Sequence, residues 1–522
     1  MAAPSSTEAN TASWLERHAD ERPGAEAVID AHRRLDYDGL AARVARCAGV
    51  LEARGVGRGD RVAILMGNHS PYLETAFAAA QLGAMAVPVN TRWSPREIAV
   101  LLDDCTPRAV VHDAERAAGF ERALGAARHC PEFRLEAGPP DAPYEAALAA
   151  ARPHPGPVAV SPDDPMILMY TSGTTGAPKG ALLPHRKTLY NARNAERFFA
   201  LSAEDRVLVV LPLFHSFGLA ILSTPTLYAG GTVILHPQFD PAAVWRAVAD
   251  ERVTFFGAVP TMFRHLHEEL AAKEHGHYAL ETLRFLFTAG AAIPVELILA
   301  YERRGLVLKQ GFGQTETSIL TCLDAGDAVR KAGSVGRPVH HGELRVVARE
   351  GIEGPVEAWR DVATGETGEI VVRGPTTMLG YWERPEETAA TLRGEWLRTG
   401  DLATVDDEGF LTLVGRAREL YISGGENVYP AEVEAVLETH PAVREVAIVG
   451  EPDERWGEVG RAFLALEPGA ELDPEEFHAF ARERLAVFKI PKRLVTLKEL
   501  PRTETGKIQK WKLTRIEETP SS

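Results

Sequence analysis

The sequence predicts an α/β protein with three parts: a large N-terminal domain of parallel-rich sheets flanked by helices, a small antiparallel barrel-like piece, and a small α+β C-terminal domain. Two observations carry this prediction. Short apolar runs alternate with helical patterns over roughly the first 320 residues, which is the spacing of βαβ units in mostly parallel sheets. From about Gly342, short alternating strands replace that pattern, and a compact helix-and-strand pattern follows Arg416.

The N-terminal elements are predicted from apolar runs between helix signals. Arg61–Met66 is expected to be a buried strand, followed by an Ala-rich helix from Pro71 to about Leu82. A helix is expected after Ser94, because the sequence Ser-Pro-Arg-Glu supplies a cap, a proline at the first helical position and a glutamate three residues after the cap. Further strands are predicted at Ala86–Val89, Ala109–His112, Met166–Tyr170, Arg206–Leu211, Val253–Phe256 and Leu283–Phe287.

The C-terminal elements are shorter and alternate more strictly. Strands of the antiparallel piece are expected at Glu343–Val347, Glu369–Arg373 and Phe410–Leu413. In the small domain we expect helices near Pro430–Thr439 and Pro474–Leu485, and strands at Val446–Val449 and Arg461–Leu466. From Arg484 to Arg515 the chain has ten basic residues and two acidic ones, which suggests a polyanionic small ligand; a solvated basic face is the alternative.

The composition is that of an ordinary globular protein with an acidic balance. The 522 residues include 57 Lys and Arg against 73 Asp and Glu, a formal charge of −16, and 45% are hydrophobic. This usage excludes disorder and coiled coils, and the acidic balance argues against a general nucleic-acid binder. The four cysteines lack CxxC spacing and fit neither a disulfide framework nor a zinc site. The N-terminus is unlike a signal peptide and the apolar runs are short, so we expect a cytoplasmic protein.

The strongest local signal is the segment YTSGTTGAPKG at 170–180. A predicted strand runs into a loop of hydroxyl and glycine residues that ends at Lys179. Such loops can wrap phosphate oxygens with backbone and hydroxyl donors, while the lysine adds positive charge. The spacing is not that of a P-loop, since Lys179 follows Gly176 by three residues. The candidate nucleotide-binding residues here are Thr171, Ser172, Gly173, Thr174, Thr175 and Lys179.

TSGTTGAPKG resembles the phosphate-binding loop of the adenylate-forming superfamily, which includes acyl- and aryl-CoA synthetases, peptide-synthetase adenylation domains and luciferases. The resemblance covers residues 10 to 515 with the motifs in order, and the pattern is most similar to bacterial fatty acyl-CoA ligases. It implies an adenylating domain at 1–415, a hinge at 416–419 that includes Arg418, and a small mobile domain at 420–522. It also implies ATP, Mg²⁺ and coenzyme A as ligands.

The nucleotide site that the resemblance implies is spread over several motifs. QGFGQTE at 310–316 is similar to the family's QGYGxTE segment, with Phe312 in place of the usual tyrosine. Phe312 offers a flat face to adenine, Thr315 can contact the α-phosphate, and Glu316 supplies a hard oxygen for Mg²⁺ together with Thr171. The remaining nucleotide residues are Gly290, Ala291 and Ala292 facing adenine, Gly311 and Gly313 closing the backbone, and Asp401 and Arg416 at the ribose.

The C-terminal motifs imply the catalytic lysine and the thiol channel. PRTETGK at 501–507 resembles the family motif whose lysine drives adenylation. The resemblance therefore implies that Lys507 is a catalytic residue, in addition to Thr315, Glu316 and His215. SGGEN at 423–427 is similar to the segment that lines the pantetheine channel, where glycine lets the backbone approach a ligand. The implied coenzyme A residues are Gly424, Gly425, Glu426, Trp456, Lys489 and Lys492.

LPLFHSFGL at 211–219 bears on the carboxylic acid. Amino-acid-activating relatives typically have aspartate where this chain has His215, which argues against an amino-acid substrate. Leu219 stands where some long-chain enzymes have an aromatic gate. An apolar and roomy pocket is expected around His215, Gly218, Leu219, Gly257, Val259 and Gly313.

These motifs together predict an AMP-forming acyl-CoA synthetase, an acid–thiol ligase. The expected substrate is a medium- or long-chain fatty acid. The alternatives are an aryl- or other carboxylate–CoA ligase, or an adenylating enzyme that uses an amine, a carrier protein or oxygen as acceptor. The expected partners are the small acid, ATP and CoA, with no nucleic acid and no integral membrane segment; peripheral membrane contact is left open, as is the choice between monomer and homodimer.

Overall fold

The structure, a computed structural model, describes residues 9–171, 178–273, 277–291, 293–423, 426–502 and 507–516. A π-helix lies at Phe217–Ser223, and short 3-10 turns lie at Val356–Ala358 and Val487–Lys489. The α-helices are α1 (Ser13–Glu21), α2 (Tyr37–Glu52), α3 (Ser70–Gln81), α4 (Pro95–Cys105), α5 (Ala114–Ala126), α6 (Pro143–Ala150), α7 (His185–Phe199), α8 (Thr224–Ala229), α9 (Pro241–Asp250), α10 (Pro260–Ala272), α11 (Val295–Glu302), α12 (Pro385–Thr391), α13 (Pro430–Leu437), α14 (Pro474–Arg482) and α15 (Lys510–Leu513).

The strands follow the predicted apolar runs closely. They are β1 (Glu26–Ile29), β2 (Arg34–Asp36), β3 (Arg61–Leu65), β4 (Met85–Pro88), β5 (Ala109–Asp113), β6 (Phe133–Ala137), β7 (Pro165–Thr171), β8 (Lys179–Pro184), β9 (Arg206–Val209), β10 (Thr232–Leu235), β11 (Phe255–Ala258), β12 (Phe285–Thr288), β13 (Leu308–Gln314), β14 (Ser318–Leu323), β15 (Arg337–Pro338), β16 (Glu343–Val347), β17 (Gly368–Arg373), β18 (Gly380–Tyr381), β19 (Leu392–Arg393), β20 (Trp396–Val405), β21 (Leu411–Arg416), β22 (Tyr421–Ser423), β23 (Glu426–Val428), β24 (Val443–Asp453), β25 (Gly457–Leu466) and β26 (Arg493–Leu497).

Two large sheets with parallel interiors form most of the N-terminal part. One has the order β15-β14-β13-β12-β11-β9-β10-β1-β2, and its inner neighbours from β13 to β1 are parallel. The other has the order β18-β8-β7-β4-β3-β5-β6, with antiparallel pairs only at the β7, β8 and β18 end. Parallel strands covered on both faces are continuous apolar runs, which is why the sequence signalled them so clearly.

Helix α4 begins where the sequence predicts. The Ser94 side chain accepts from the backbone N–H of Glu97 at 3.3 Å, and Glu97 Oε2 accepts from the backbone N–H of Ser94 at 2.8 Å. Both orphan N–H groups of the first turn are therefore satisfied reciprocally, as in a capping box, and Pro95 occupies the first helical position.

A buried carboxylate ties three helices of the N-terminal part together. Glu74 on α3 is fully buried; its Oε1 lies 2.8 Å from Arg43 Nε on α2, and its Oε2 accepts from the Tyr144 hydroxyl on α6 at 2.9 Å. Arg43 also binds Glu145 at 2.7 Å. Buried charges are tolerated only when they are paired and hydrogen-bonded, and this group meets both conditions.

The chain divides into two compact units. The first comprises Met1–Leu344 and Val372–Leu397, and the second comprises Arg345–Val371 and Arg398–Ser522. The second unit contains a sheet of order β23-β22-β25-β24 with β26 paired to β25, and its core includes Val446, Ile448 and Leu464. The division of the chain into functional domains at 1–415, 416–419 and 420–522 stays a prediction.

The predicted fold class is confirmed: parallel-rich sheets with flanking helices, a curled antiparallel half-barrel sheet and a small C-terminal domain. The half-barrel contains β16, β17, β20 and β19, with β21 paired to β20. None of the helices in the described ranges combines the length and the apolar character that crossing a bilayer requires.

Candidate active site

The predicted phosphate loop connects two antiparallel strands of the first unit. β7 and β8 pair so that Thr171 is directly opposite Lys179, and the Thr171 hydroxyl donates to the Lys179 carbonyl at 3.4 Å. Ser172, Gly173, Thr174 and Thr175 lie outside the described residues. Lys179 Nζ lies 3.7 Å from a Glu387 carboxylate oxygen and 5.7 Å from the centroid of the Tyr381 ring. The hairpin thus fixes where Thr171 and the lysine leave the sheet.

Glu316 follows β13 and is held by two residues near β18. The Tyr381 hydroxyl donates to Glu316 Oε1 at 2.9 Å, and the backbone N–H of Met378 donates to the Glu316 carbonyl at 2.8 Å. Tyr381 therefore contacts both Glu316 and Lys179, two residues that the sequence assigns to separate motifs. Thr315 precedes Glu316 and is half-buried. Sequence analysis did not single out Tyr381, since nothing in its own segment Gly380-Tyr381-Trp382 identifies the carboxylate 65 positions away.

The turn that carries Thr315 and Glu316 is closed by a strained residue. Ser318 has φ 61°, a left-handed conformation that is uncommon outside glycine and is maintained only when its surroundings enforce it. The Ser318 hydroxyl binds the ammonium group of Lys187 on α7, which is 2% exposed. Burial lowers the pKa of Lys187 to about 7, and the Glu316 carboxylate opposes that shift. Lys187 is a second residue that sequence analysis missed, because a lysine in an amphipathic helix normally faces solvent.

The predicted adenine-facing residues lie at the ends of β12 and β13. Gly290 has φ +91° and is exposed with Ala291, whereas Ala292 lies outside the described residues. A Cβ at Gly311 would lie 2.6 Å from the Phe287 ring, so glycine is required there for packing. Phe312 is half-buried on β13, next to a register shift at Gly313 that turns the strand.

Asp401 and Arg416, predicted to bind ribose, are brought together in the second unit. They are register partners across the β20–β21 pair, and Arg416 Nε lies 2.6 Å from Asp401 Oδ1. The side chain of Asp401 is 8% exposed and that of Arg416 is 33% exposed, so the pair presents the arginine more than the carboxylate. Fourteen intervening residues form the hairpin that makes them neighbours.

The predicted acyl pocket is filled more tightly than its glycines suggest. A Cβ at Gly257 would lie 2.8 Å from the ring of Phe217, and one at Gly218 would lie 2.5 Å from the Pro212 carbonyl. At Gly313 the neighbour is the Ser318 carbonyl, 1.9 Å from an added Cβ. These glycines allow close packing, and they do not open onto space. Leu219 and Val259 are 1% and 8% exposed.

Aromatic rings surround the same region. The Phe217 ring lies 5.6 Å from the Phe287 ring in an edge-to-face arrangement, and the His215 ring lies 4.6 Å from the Phe214 ring. His215 is half-buried, at the start of the π-helix. π-Helical turns are rare in proteins, and those that do occur often lie at functional sites. A Cβ at Gly290 would lie 3.9 Å from Val259, so the predicted adenine-facing turn adjoins Val259 of the predicted acyl pocket.

Lys507 is exposed in the second unit, at the end of a segment that is fastened on both sides. Arg502 and Ile508 form a β-bridge, and the Gln509 N–H donates to the Pro501 carbonyl at 2.7 Å. The middle of the motif, 503–506, lies outside the described residues. Arg418 is exposed in the turn after β21.

The coenzyme A candidates are only partly brought together. Trp456 is 37% exposed, and Lys492 Nζ lies 5.9 Å from the centroid of its ring. Ser423 pairs with Gly457, which places the Trp456 turn beside the segment that continues into Gly424 and Gly425, themselves outside the described residues. Lys489 instead binds Glu432 at 2.5 Å. Glu426 is exposed on β23.

Fold and motifs together define an adenylate-forming enzyme. Residues 15–382 match the AMP-binding enzyme family, and residues 432–507 match the AMP-binding enzyme C-terminal domain. The chain belongs to the AMP-binding enzyme family, and it is an AMP-forming acid–CoA ligase.

The similar proteins include ligases of aromatic and of fatty acids. A feruloyl-CoA synthase from Amycolatopsis is 43% identical over 505 residues, 96% of this chain and 98% of the relative. An indoleacetate–CoA ligase from Aromatoleum aromaticum is 41% identical and covers 95% and 96%. A long-chain-fatty-acid–CoA ligase from Mycobacterium tuberculosis is 35% identical with the same shares covered. The solved structure of ATP-bound MatB from Rhodopseudomonas palustris is 30% identical, covers 97% and 98%, and gives a TM-score of 0.87.

These comparisons correct the balance between the two substrate predictions. A fatty acid is the primary prediction from the sequence, and an aryl acid is the alternative. The aryl-acid ligases above exceed the fatty-acid ligase in identity over nearly the whole chain, so the findings favour the alternative.

Proposed function

We propose that this enzyme joins an aryl carboxylic acid to coenzyme A through an acyl-adenylate. The observation that carries the aryl assignment is the ring of Phe217, which occupies the space beside Gly257. A fatty chain would need that space as a continuing channel, whereas a planar acid needs flat apolar walls near the carboxylate. Phe217 supplies such a wall, and the fully buried Phe287 ring packs against it edge to face. Edge-to-face contacts of aromatic rings add binding energy beyond buried area.

His215 is the proposed carboxylate-orienting residue. It is half-buried at the start of the π-helix, beside Phe214 and two residues before Phe217. An imidazole N–H can donate a hydrogen bond to a carboxylate oxygen, while the neighbouring aromatic residues hold the acyl group. Leu219, Gly218, Val259 and Gly313 would then support the wall rather than contact the acid.

The nucleotide residues divide into those that hold phosphates and those that hold adenosine. Lys179 and the loop after Thr171 are proposed to bind the β- and γ-phosphates, and Thr315 the α-phosphate. Gly290, Ala291, Ala292, Gly311 and Phe312 are proposed to face adenine, and Asp401 and Arg416 to bind ribose. Both reactants of adenylation are anions, so positioning and charge neutralisation are the enzyme's main tasks.

The oxygens of Glu316 and Thr171 fit a magnesium ion. Carboxylate and hydroxyl oxygens are the donors Mg²⁺ prefers, and the Tyr381 hydroxyl fixes the orientation of the Glu316 carboxylate at 2.9 Å. When bound, the ion would neutralise charge on the departing pyrophosphate. The protein's own part is to hold that carboxylate in a fixed orientation.

The two half-reactions are proposed to use different residues of the C-terminal part. Lys507 neutralises charge that develops on the carboxylate and the α-phosphate during adenylation. Gly424, Gly425, Glu426, Trp456, Lys489 and Lys492 serve the entry of coenzyme A. Residues 420–522 are proposed to turn about the hinge at Arg418 between the two steps, as hinges of a few residues commonly allow.

The experiment that tests the substrate is AMP release with ATP, Mg²⁺ and coenzyme A. Ferulate, indoleacetate and benzoate are compared with octanoate and palmitate. We expect coenzyme A-dependent AMP formation to be highest with an aryl acid. Higher kcat/KM for palmitate than for every aryl acid would overturn the aryl assignment, and AMP release without thioester formation would overturn the acceptor.

A variant separates the pocket argument from the panel. Phe217→Ala removes the ring beside Gly257, and we expect the preference for aryl over octanoic acid to fall about 10–100-fold. This lies within the range of about 10–200-fold that even one methylene group in an apolar pocket can provide. Phe480→Ala, a half-buried phenylalanine on α14, is the matched control and should leave the preference unchanged. An unchanged preference in Phe217→Ala would show that this ring does not limit the pocket.

A further inference from the structure

A lysine three residues after Lys507 binds two carboxylates from different parts of the second unit. Lys510 Nζ lies 2.7 Å from Glu434 Oε1 on α13 and 3.2 Å from Glu419 Oε2 in the turn after β21. The side chains are 18% exposed for Lys510, 15% for Glu434 and 31% for Glu419. One ammonium group therefore joins the segment that carries Lys507 to helix α13 and to the hinge turn.

Glu434 is the fixed end of this arrangement. Its Oε1 also accepts from the backbone N–H of Ile448 on β24 at 2.6 Å, so the carboxylate is bound to both strand β24 and Lys510. Burial lowers the pKa of Lys510, but the two carboxylates outweigh burial and raise the net pKa above its usual value. Lys510 thus stays charged at neutral pH and keeps both contacts.

The rest of the Lys507 segment is fastened to the same sheet. Leu500 and Leu513, before and after the motif, are 3% and 0% exposed and pack with Val449. Arg502 binds Glu445 at 2.7 Å. These contacts lie on either side of Lys507, and among them Lys510 is the one that also reaches the hinge turn.

Stability alone does not account for a lysine at this position. A buried ion pair is often no more stabilising than apolar residues of similar volume, and the better-attested gain is a unique arrangement of the groups it joins. Apolar anchors are already present at Leu500 and Leu513. Lys510 adds a specific orientation, because its contacts with Glu434 and Glu419 favour one placement of the backbone that leads to Lys507.

We propose that Lys510 is a positioning residue for the adenylation half-reaction, holding Lys507 in register with the hinge turn through Glu434 and Glu419. The inference rests on the proposed role of Lys507 and deepens it. It assigns no contact between Lys510 and the substrates. Its consequence is that Lys510 matters for the step that uses Lys507 and not for the step in which coenzyme A attacks the adenylate.

The test measures the two half-reactions separately on the full chain. ATP–pyrophosphate exchange with ferulate reports adenylation, and thioester formation from supplied feruloyl-adenylate and coenzyme A reports the second step. For Lys510→Met we expect kcat of exchange to fall about 10–100-fold, since misplacement of a reacting group by about 1 Å can cost that much, with the KM for ATP and the thioester rate changed less than about threefold. Lys510→Arg keeps the charge and should restore most of the exchange rate.

Lys512→Met is the matched control, because Lys512 lies on the same helix but is exposed. It should leave both half-reactions unchanged. Wild-type exchange in a folded Lys510→Met variant, or equal loss of both half-reactions, would overturn the proposal. If Lys510→Met does not fold, Glu419→Gln decides: this change keeps the buried pair with Glu434, and a loss of exchange confined to the first half-reaction is expected, whereas unchanged exchange overturns it.

The proposed function fails in a distinguishable way. If the unaltered chain shows no exchange with any acid, or if Lys507→Ala leaves exchange intact, the role of Lys507 is wrong. If Lys507→Ala abolishes exchange and neither Lys510→Met nor Glu419→Gln affects it, only the positioning role is wrong.

Discussion

Glu316 and Lys507 are two proposed catalytic residues that are fixed in opposite ways. Glu316 is held by hydrogen bonds to the residue itself: the Tyr381 hydroxyl donates to its carboxylate, and the Met378 N–H donates to its backbone carbonyl. Lys507 is exposed, and its neighbours Arg502, Gln509 and Lys510 hold the segment. The proposed ion-orienting carboxylate is thus held by contacts to itself, whereas the lysine proposed to serve one of two steps depends on the contacts of the segment that carries it.

The largest expected effect comes from removing the exposed group. Lys507→Ala should lower ATP–pyrophosphate exchange about 10³-fold, the loss typical of removing a group that stabilises developing charge. Thioester formation from supplied acyl-adenylate should stay within a few-fold of the unaltered enzyme, because the proposed role of the lysine is confined to adenylation. Rates of ATP–pyrophosphate exchange and of thioester formation, measured separately for both proteins, check this prediction. Equal losses would show that the two regions are not functionally divided.

The second effect concerns the buried histidine at the start of α7, the helix that also carries Lys187. Burial lowers the pKa of His185 to about 4 from 6.5, and its Nδ1 accepts from the Thr11 N–H at 3.2 Å. Below about pH 6.5 His185 binds a proton in the unfolded chain but stays neutral in the folded chain until about pH 4. The contribution of His185 to stability is therefore intact above pH 6.5 and is lost as the pH falls toward 4. At pH 5 the loss from this group is about 2 kcal/mol.

Urea unfolding at pH 7 and pH 5 measures this loss. His185→Gln keeps a hydrogen-bond acceptor without a titrating ring, so its stability should fall less between the two pH values by about that amount. An identical fall in both proteins would mean that His185 does not titrate differently on unfolding.

The smallest expected effect tests the hydrogen bond from the Tyr381 hydroxyl to the Glu316 carboxylate. Tyr381→Phe removes only the hydroxyl and should lower the exchange rate about tenfold, since a hydrogen bond to a charged group is worth about 1.5 kcal/mol. The loss should diminish at high Mg²⁺ if the hydroxyl serves to aim the carboxylate. Wild-type exchange by Tyr381→Phe at every Mg²⁺ concentration would show that this hydrogen bond has no role in adenylation.

Local patterns in the sequence predicted most of the fold. The capping box at Ser94 and the apolar strands such as Arg61–Met66 depend on neighbouring residues, and both were found. Predicted boundaries moved where longer-range pairing decides them: the strand near Val446–Val449 extends to Val443–Asp453, because it pairs along its length with β25.

The candidate site was predictable only where motifs carry it. Asp401 and Arg416 were named from their motifs, and the hairpin register makes them neighbours. Tyr381 and Lys187 were not, because their partners lie 65 and 131 positions away and meet them through sheet order. Gly257 shows the reverse error: a glycine suggested open space, yet a phenylalanine 40 residues earlier fills it.

The carboxylate of Glu74 has a consequence for how relatives of this enzyme diverge. Arg43 and Tyr144 satisfy it from two other helices, so loss of Arg43 alone would strand a buried charge at a cost of about 3–5 kcal/mol, while joint replacement by apolar residues could be neutral. Positions 43, 74 and 144 are therefore expected to change together during evolution. Lineages should carry either the whole charged set or none of it, and mixed combinations should be rare.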